Sequence, residues 1–161
     1  MLVLVLPVLS LILASLHVVF SQQPWTRKRV AEITLLYLFA IQVGLFSLMA
    51  SLWQTVRAES TAQFIGWPPG NRFEYEVAAA NLAFAVLGVL CIWKRGSFWT
   101  ATGIGWSVFL LGAAAVHLHQ IRAGQPYAPG NAGPMLYLDV LLPLLVLGLL
   151  ALRSRGEVAS H

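Results

Sequence analysis

The residues that could do chemistry in this chain are a few polar side chains set within or beside long apolar segments. Asp139 interrupts one such segment, and His117 and His119 lie near the end of another. A carboxyl group and an imidazole can act together as acid and base on a small substrate, or can bind a hard or borderline divalent metal. Because ionisable groups inside a membrane need partners or a hydrated cavity, these three residues define the candidate site.

A second set of polar residues begins another apolar segment. Five residues there are spaced four, three, four and three apart, which places them on one face of a helix: Glu74, Ala78, Asn81, Ala85 and Gly88. We expect that face to point into the protein. The partners open to Asp139 are then Asn81, His117, His119 and Arg122.

The candidate catalytic residues are Asp139 and His117 as acid and base, with Glu76 or Asn81 orienting the substrate. Further candidate binding residues are Glu74, Asn81, His119, Asn131 and Trp67. Because His117 and His119 are about 200° apart around a helix, we expect only one of them to face Asp139. A structural hydrogen-bond network that ties three helices together explains the same residues more simply, and this alternative stays open.

No metal or cofactor site is assigned from the sequence. The single cysteine, Cys91, allows no CxxC pair, so neither covalent haem nor an iron–sulfur cluster is expected. His17 lies near the opposite membrane face from His117 and His119, which argues against a haem held by two of these histidines. The pattern that comes nearest to a metal site combines Glu74, Glu76, Asp139 and one histidine.

The composition tells which elements must position these residues. Of the 161 residues, 58% are hydrophobic and only 10% are charged, against roughly 25% charged in a soluble domain. A membrane span needs roughly 20 apolar residues, so the chain has room for at most about six spans and for no soluble catalytic domain. The net charge of +4 does not indicate a nucleic-acid partner, because the basic residues lie between apolar segments.

We expect an all-α integral membrane bundle of five transmembrane helices, at about residues 1–20, 33–56, 77–93, 98–120 and 135–152. Segment 1–20 lacks a basic n-region and exceeds the roughly 7 to 15 apolar residues of a signal peptide, so we interpret it as a retained helix. Residues 1–153 then form one domain, followed by a short polar tail, 154–161.

The basic residues predict an orientation for five spans. Seven of the ten fall on one side: Arg27, Lys28, Arg29, Lys94, Arg95, Arg153 and Arg155. By the positive-inside rule this side is cytoplasmic, so the N-terminus lies outside and the C-terminal tail lies in the cytoplasm. The outer loops, 57–75 and 121–134, are rich in Gly, Pro and aromatic residues, and we expect defined turns there.

Two further patterns predict how the helices pack. Small residues four apart favour close contact between spans two, three and four: Ala40 with Gly44, Ala79 with Ala83, and Gly103 with Ser107. Five tryptophans fall near predicted span boundaries, as interfacial anchors do: Trp25, Trp53, Trp67, Trp93 and Trp99.

Several short motifs resemble those of a family of small uncharacterised bacterial membrane proteins. They are FIGWP at 64–68, EVAAANL at 76–82, FLLGA at 109–113 with His117, and NAGP at 131–134 with Tyr137, Asp139 and Pro143. The resemblance runs from about residue 32 to 153 and implies a multi-pass protein of the bacterial inner membrane without assigning a chemistry. The overall shape is also similar to the DoxX-type four-helix proteins, some of which are partners of quinone-linked oxidases.

Two functions follow from these features. In the first, the protein is an accessory or binding subunit, in a larger membrane complex or a homo-oligomer, with a periplasm-side polar pocket for a partner, a lipid or a quinone. In the second, it is a membrane enzyme that acts on an apolar small molecule or lipid through Asp139, His117 and Glu76, with or without a metal. The second function predicts a cavity that reaches the bilayer.

Overall fold

The computed structural model describes residues 2–124 and 127–158, and every regular element in that part of the chain is a helix. In chain order these are α1 Leu2–Phe20, α2 Arg27–Tyr37, a π-helix Leu38–Phe46, α3 Ser47–Val56, α4 Ala58–Ile65, α5 Phe73–Leu90, α6 Ser97–Arg122, α7 Pro129–Ala132 and α8 Pro134–Val158. The predicted all-α class is therefore confirmed for the described residues.

Among the described residues, four helical segments are long and apolar enough to cross a membrane: Arg27–Val56, Phe73–Leu90, Ser97–Arg122 and Pro129–Ser154. They correspond to predicted spans two to five and indicate a multi-pass membrane protein. Predicted span one is also a helix, but its apolar part, Leu4–Phe20, is shorter than these four. Helix length and composition thus support four crossings, and α1 remains a predicted fifth.

The helix ends differ from the predicted ones because charged residues continue a helix beyond the apolar segment. The helix that contains span two starts at Arg27, six residues before the predicted span start at 33, and Thr26 caps it by accepting a hydrogen bond from the Arg29 amide. At the other end of the chain, α8 runs to Val158, so the tail predicted from 154 begins as helix. Residues 159–161 lie outside the described residues.

Span two packs against both α5 and α8, and α8 also packs against α6. Helix α5 packs on α3 and the π-helix, α8 packs on α6 and α2, and α1 lies against α2 and the π-helix. The buried face of α5 consists of the five residues that the spacing predicted: Glu74, Ala78, Asn81, Ala85 and Gly88. Gly88 lies so close to span two that a Cβ there would overlap the Gly44 backbone nitrogen, and this contact falls within the π-helix.

The predicted packing patterns are right in part. Gly103 faces α8, where an added Cβ would come within 2.7 Å of Leu150 Cδ1. Ala79 and Ala83 are both exposed, so that small-residue pair was wrong. Trp99 is not an interfacial anchor, because it is fully buried and its Nε1 donates a hydrogen bond to the Cys91 carbonyl at 2.8 Å.

Candidate functional site

Two short helices, α4 and α7, contact each other across one end of the bundle. Helices α3 and α6 end there, and helices α5 and α8 begin there. We call this the capped end, and we call the opposite end, with Arg27 to Arg29, Arg95 and Arg153, the basic end. The Gly- and Pro-rich loops form the cap as predicted, since Gly66 and Gly70 turn with φ of +82° and +84°. Gly130 in α7 packs on Phe64, and a Cβ there would lie 2.7 Å from Phe64 Cδ1.

His117 and Asp139 meet at the capped end. His117 Nε2 lies 3.9 Å from Asp139 Oδ2, and their side chains are only 11% and 10% exposed. Each residue is five positions from the capped end of its helix, or about 7 Å below it at 1.5 Å per residue. Of the four partners considered for Asp139, His117 is therefore the one that the structure places beside it.

Pro143 adds a feature to this site that the sequence analysis did not use. It lies inside α8, four residues after Asp139, and proline has no N–H to donate to the carbonyl of the residue four before it. The backbone carbonyl of Asp139 therefore lacks its helical hydrogen bond. Pro143 four residues after an acidic residue was the sequence signal for this carbonyl without a helical donor.

Gln120 also belongs to the site and was missed. It lies one turn after His117 on α6, beside the imidazole. His117 Nδ1 and Gln120 Oε1 are nevertheless both buried without a hydrogen bond of good geometry in the described residues. The i, i+3 spacing of His117 and Gln120 was the signal that could have identified it.

Asn81 makes its hydrogen bond to another residue and is not the partner of Asp139. Its Nδ2 donates a hydrogen bond to Gln54 Oε1 on α3 at 3.0 Å. Gln54 was missed, although it continues a helix face with Ser47 and Ser51, both of which are buried. The Asn81–Gln54 bond joins spans two and three at the capped end.

The other candidate residues divide into exposed and buried ones. Glu76, His119 and Arg122 are exposed, so the structure does not bring them into the buried set with Asp139. Asn131 is buried, and its Oδ1 accepts a hydrogen bond from the Ala128 amide at 3.1 Å, which closes the turn of α7. Trp67 is half-buried and Glu74 is 3% exposed, and both carry an unpartnered polar atom among the described residues.

The metal ligands considered in the sequence do not come together in the described part of the chain. No group of three or more His, Cys, Asp or Glu side chains there is close enough to hold a metal ion. His17, near the basic end, pairs instead with Tyr37, its Nδ1 lying 3.2 Å from the Tyr37 hydroxyl.

A ligand at this site would meet the His117–Asp139 acid–base pair and the Asp139 backbone carbonyl. His117 Nδ1 and Gln120 Oε1, which lack a well-aligned hydrogen bond, lie beside them. Two hollows in the described residues lie elsewhere, one beside α1 and one of about 300 Å³ between Gly96 and Arg153, and neither is lined by His117 or Asp139.

The sequence profile of a family of unknown function, DUF6790, matches residues 1–159. This match is longer than the resemblance at 32–153 and includes α1. No curated protein and no solved structure shows significant similarity to the chain.

Proposed function

The chain belongs to DUF6790, a family of unknown function, and from its own geometry we propose that it is an accessory or binding subunit of the bacterial inner membrane. It binds a partner subunit, a lipid or a quinone at the capped end, through the buried His117–Asp139 pair. The single observation that supports this proposal most is that pair, at 3.9 Å and about 90% buried.

The atoms around the pair favour binding over a purely structural network. A distance of 3.9 Å is too long for a hydrogen bond. Beside it, His117 Nδ1 and Gln120 Oε1 lie next to each other without a well-aligned hydrogen bond, and the Asp139 carbonyl lacks its helical donor. Buried polar groups in a structural network are normally satisfied, so these atoms are explained by a ligand or partner group that completes them.

The test is gentle purification of the protein from its native membrane, with mass spectrometry of everything that is retained. The proposal expects a stoichiometric protein, lipid or quinone that is lost on Asp139→Asn and kept on His119→Gln. His119 is the matched control, because it lies two residues from His117 on the same helix but is exposed. Retention that is equal in both variants would contradict the proposal.

We also propose that α1 is a fifth span, so that the capped end is periplasmic and the basic end is cytoplasmic. The positive-inside rule supports this orientation. Single cysteines at exposed Ser60, in α4, and exposed Gln23, in the α1–α2 loop, test it after Cys91→Ala. An impermeant maleimide should label position 60 in intact cells and position 23 only after the cells are opened. The reverse pattern would refute the orientation.

An N-terminal epitope tag decides the number of spans. With five spans the tag is accessible outside the intact cell, and with four spans it is protected together with position 23.

A membrane enzyme is the second candidate, favoured by the same acid–base pair beside a free carbonyl. Its substrate would be an apolar small molecule or a lipid, and a metal could assist. The exposed position of Glu76 leaves Asp139 and His117 as the residues for that role. Turnover of added lipids by the wild type, abolished in Asp139→Asn and in His117→Gln, would place this function ahead of binding.

A further inference from the structure

The hollow of about 300 Å³ at the basic end has a mostly polar wall made by two helices. One cation, three hydroxyl side chains, a glycine and a single aliphatic side chain line it among the described residues: Arg153, Ser97, Thr100, Ser154, Gly96 and Leu150. The one charged member of this lining is therefore positive. Hydroxyl groups beside a guanidinium suit a small anion with several oxygen acceptors better than they suit an apolar molecule.

This hollow lies at the edge of the membrane-spanning segments. One spanning segment begins at Ser97 and another ends at Ser154, and both residues line the hollow. Ser97, Thr100 and Ser154 are also exposed, so the hollow is accessible from outside the bundle. Because lipid headgroups occupy the region just beyond the hydrocarbon, the hollow is at headgroup level.

Arg153 is fixed in the wall of the hollow by its neighbours. Its Nε lies 3.3 Å from Glu32 Oε1, and its Nη1 donates to the Gly96 carbonyl at 3.2 Å. The Glu32 carboxylate offsets one positive charge, but the Arg95 guanidinium lies 5.1 Å from the centre of the Trp99 ring, against 5.5 Å for that of Arg153. This group of side chains thus holds two cations against one carboxylate.

The start of α6 adds backbone donors to the same wall. The first N–H groups of an α-helix have no acceptor within the helix, and Gly96, at the N-cap, has no side chain that could accept from them. Phosphate groups bind to such amides. Here the amides do not act alone, because Arg153 and Ser154 bring a guanidinium and a hydroxyl from α8 to the same hollow.

We propose that this hollow binds a phosphate group, carried by an anionic phospholipid or present as free phosphate. The donors come from two helices, so a tetrahedral group with oxygens on several sides meets more of them than a planar carboxylate does. A metal cation does not fit, because the described lining contains a guanidinium and no carboxylate. The site is separate from the His117–Asp139 pair and does not depend on the function proposed for that pair.

The experiment places a negative charge in the hollow. Ser97→Asp adds a carboxylate in the first turn of α6, where the helix N-terminus favours it, so the variant should fold. Gln23→Glu is the matched control. It makes the same change in charge at an exposed position in the loop that precedes Arg27, outside the hollow.

Two arms separate the sources of the phosphate group. In the first, the purified proteins are placed in an equal mixture of phosphatidylglycerol and phosphatidylcholine, and the retained lipids are counted by mass spectrometry. In the second, inorganic phosphate is titrated into protein held in phosphatidylcholine nanodiscs, and the heat of binding is measured. In the arm that shows binding, Ser97→Asp should weaken it about tenfold, a change of about 1.4 kcal/mol, and Gln23→Glu should leave it unchanged.

Each outcome assigns or removes the site. Phosphatidylglycerol selection that Ser97→Asp abolishes assigns a lipid headgroup, phosphate binding without that selection assigns free phosphate, and both together mean that the hollow accepts the group from either source. No selection and no phosphate binding in the wild type would overturn the proposal. Equal losses in Ser97→Asp and Gln23→Glu would also overturn it, because the basic end would then attract anions as a whole.

Folding and the capped end are controlled separately. If Ser97→Asp does not fold, Thr100→Asp keeps the proposal falsifiable, because Thr100 lines the same hollow. Asp139→Asn should bind as the wild type does, since Asp139 lies at the capped end. Binding lost in Asp139→Asn but kept in Ser97→Asp would overturn this inference and leave the proposed role of the His117–Asp139 pair standing.

Discussion

The two ends of the bundle differ in how far their buried polar groups are hydrogen-bonded or ion-paired. At the basic end, Arg153 Nε lies 3.3 Å from Glu32 Oε1, and its Nη1 donates to the Gly96 carbonyl at 3.2 Å. Its guanidinium also lies 5.5 Å from the centre of the Trp99 ring. One arginine thus joins the starts of spans two and four to the end of α8.

At the capped end several buried polar groups lack a hydrogen bond within the described residues. Six buried side-chain atoms in the described residues lack a hydrogen bond, and four of them lie here, on Trp67, Glu74, His117 and Gln120. One, Arg29 Nε, lies at the basic end. Since buried groups that hold a fold together are normally satisfied, this contrast supports the proposed binding role of the capped end.

The largest expected effect on stability is at Arg153. Arg153→Ala leaves Glu32 without its ion pair and removes the contact with Trp99, so the free energy of unfolding should fall by about 2 kcal/mol. This value is below that of a fully buried pair because Glu32 is 32% exposed. Unfolding in mixed detergent micelles measures it. Arg95→Ala is the control, because Arg95 is exposed and stacks on the same ring at 5.1 Å. Equal losses in the two variants would remove the contrast between the ends.

Asp139→Asn should give the opposite result to Arg153→Ala. The stability change should stay below about 1 kcal/mol, because no hydrogen bond to His117 is lost at 3.9 Å. The retained ligand should fall about tenfold, or about 1.4 kcal/mol. The same micelle unfolding assay and the retention assay are run on both variants. If Asp139→Asn unfolds the protein while Arg153→Ala loses the ligand, the assignment of the two ends is wrong.

The features that the sequence predicted correctly are those that a single helix or turn determines without its neighbours. The inward face of α5 was right because a helical period of small and polar residues fixes which side can be buried. The turns at Gly66 and Gly70 were right because local chemistry sets them. The helix start at Arg27 was not predicted, since a hydropathy window does not detect a capped helix that begins in charged residues.

What depends on contacts between helices could not be predicted. The faces of α6 that contain His117 and His119 are similar in composition, and only the pairing of α6 with α8 selects His117. Asn81 was considered for Asp139 because the sequence does not tell that α5 pairs with α3. Trp99 lies at a span boundary, yet it is buried because the Cys91 carbonyl at the end of α5 accepts its N–H.

The Asn81–Gln54 bond tests whether a satisfied group at the capped end behaves like those at the basic end. Asn81→Ala and Gln54→Ala should each lower the free energy of unfolding by about 0.6 to 1 kcal/mol. The double variant should lose little more than either one, because both changes break the same 3.0 Å bond. A double-mutant cycle in detergent measures this, with exposed Gln63→Ala as control. Full additivity would mean that the bond contributes nothing.

Tyr37→Phe should have the smallest effect on stability. It tests whether a hydrogen bond at the basic end stabilises the fold by itself or only where its partners are buried. It removes the exposed contact between the Tyr37 hydroxyl and His17 Nδ1 and keeps the ring packing of 5.8 Å between them. We expect a loss of about 0.5 kcal/mol or less in the same unfolding assay, with exposed Tyr75→Phe as the control. A loss as large as that of Arg153→Ala would show that any satisfied bond holds the fold equally. A loss near zero means that partners stabilise the basic end only where they are buried, as Arg153 is.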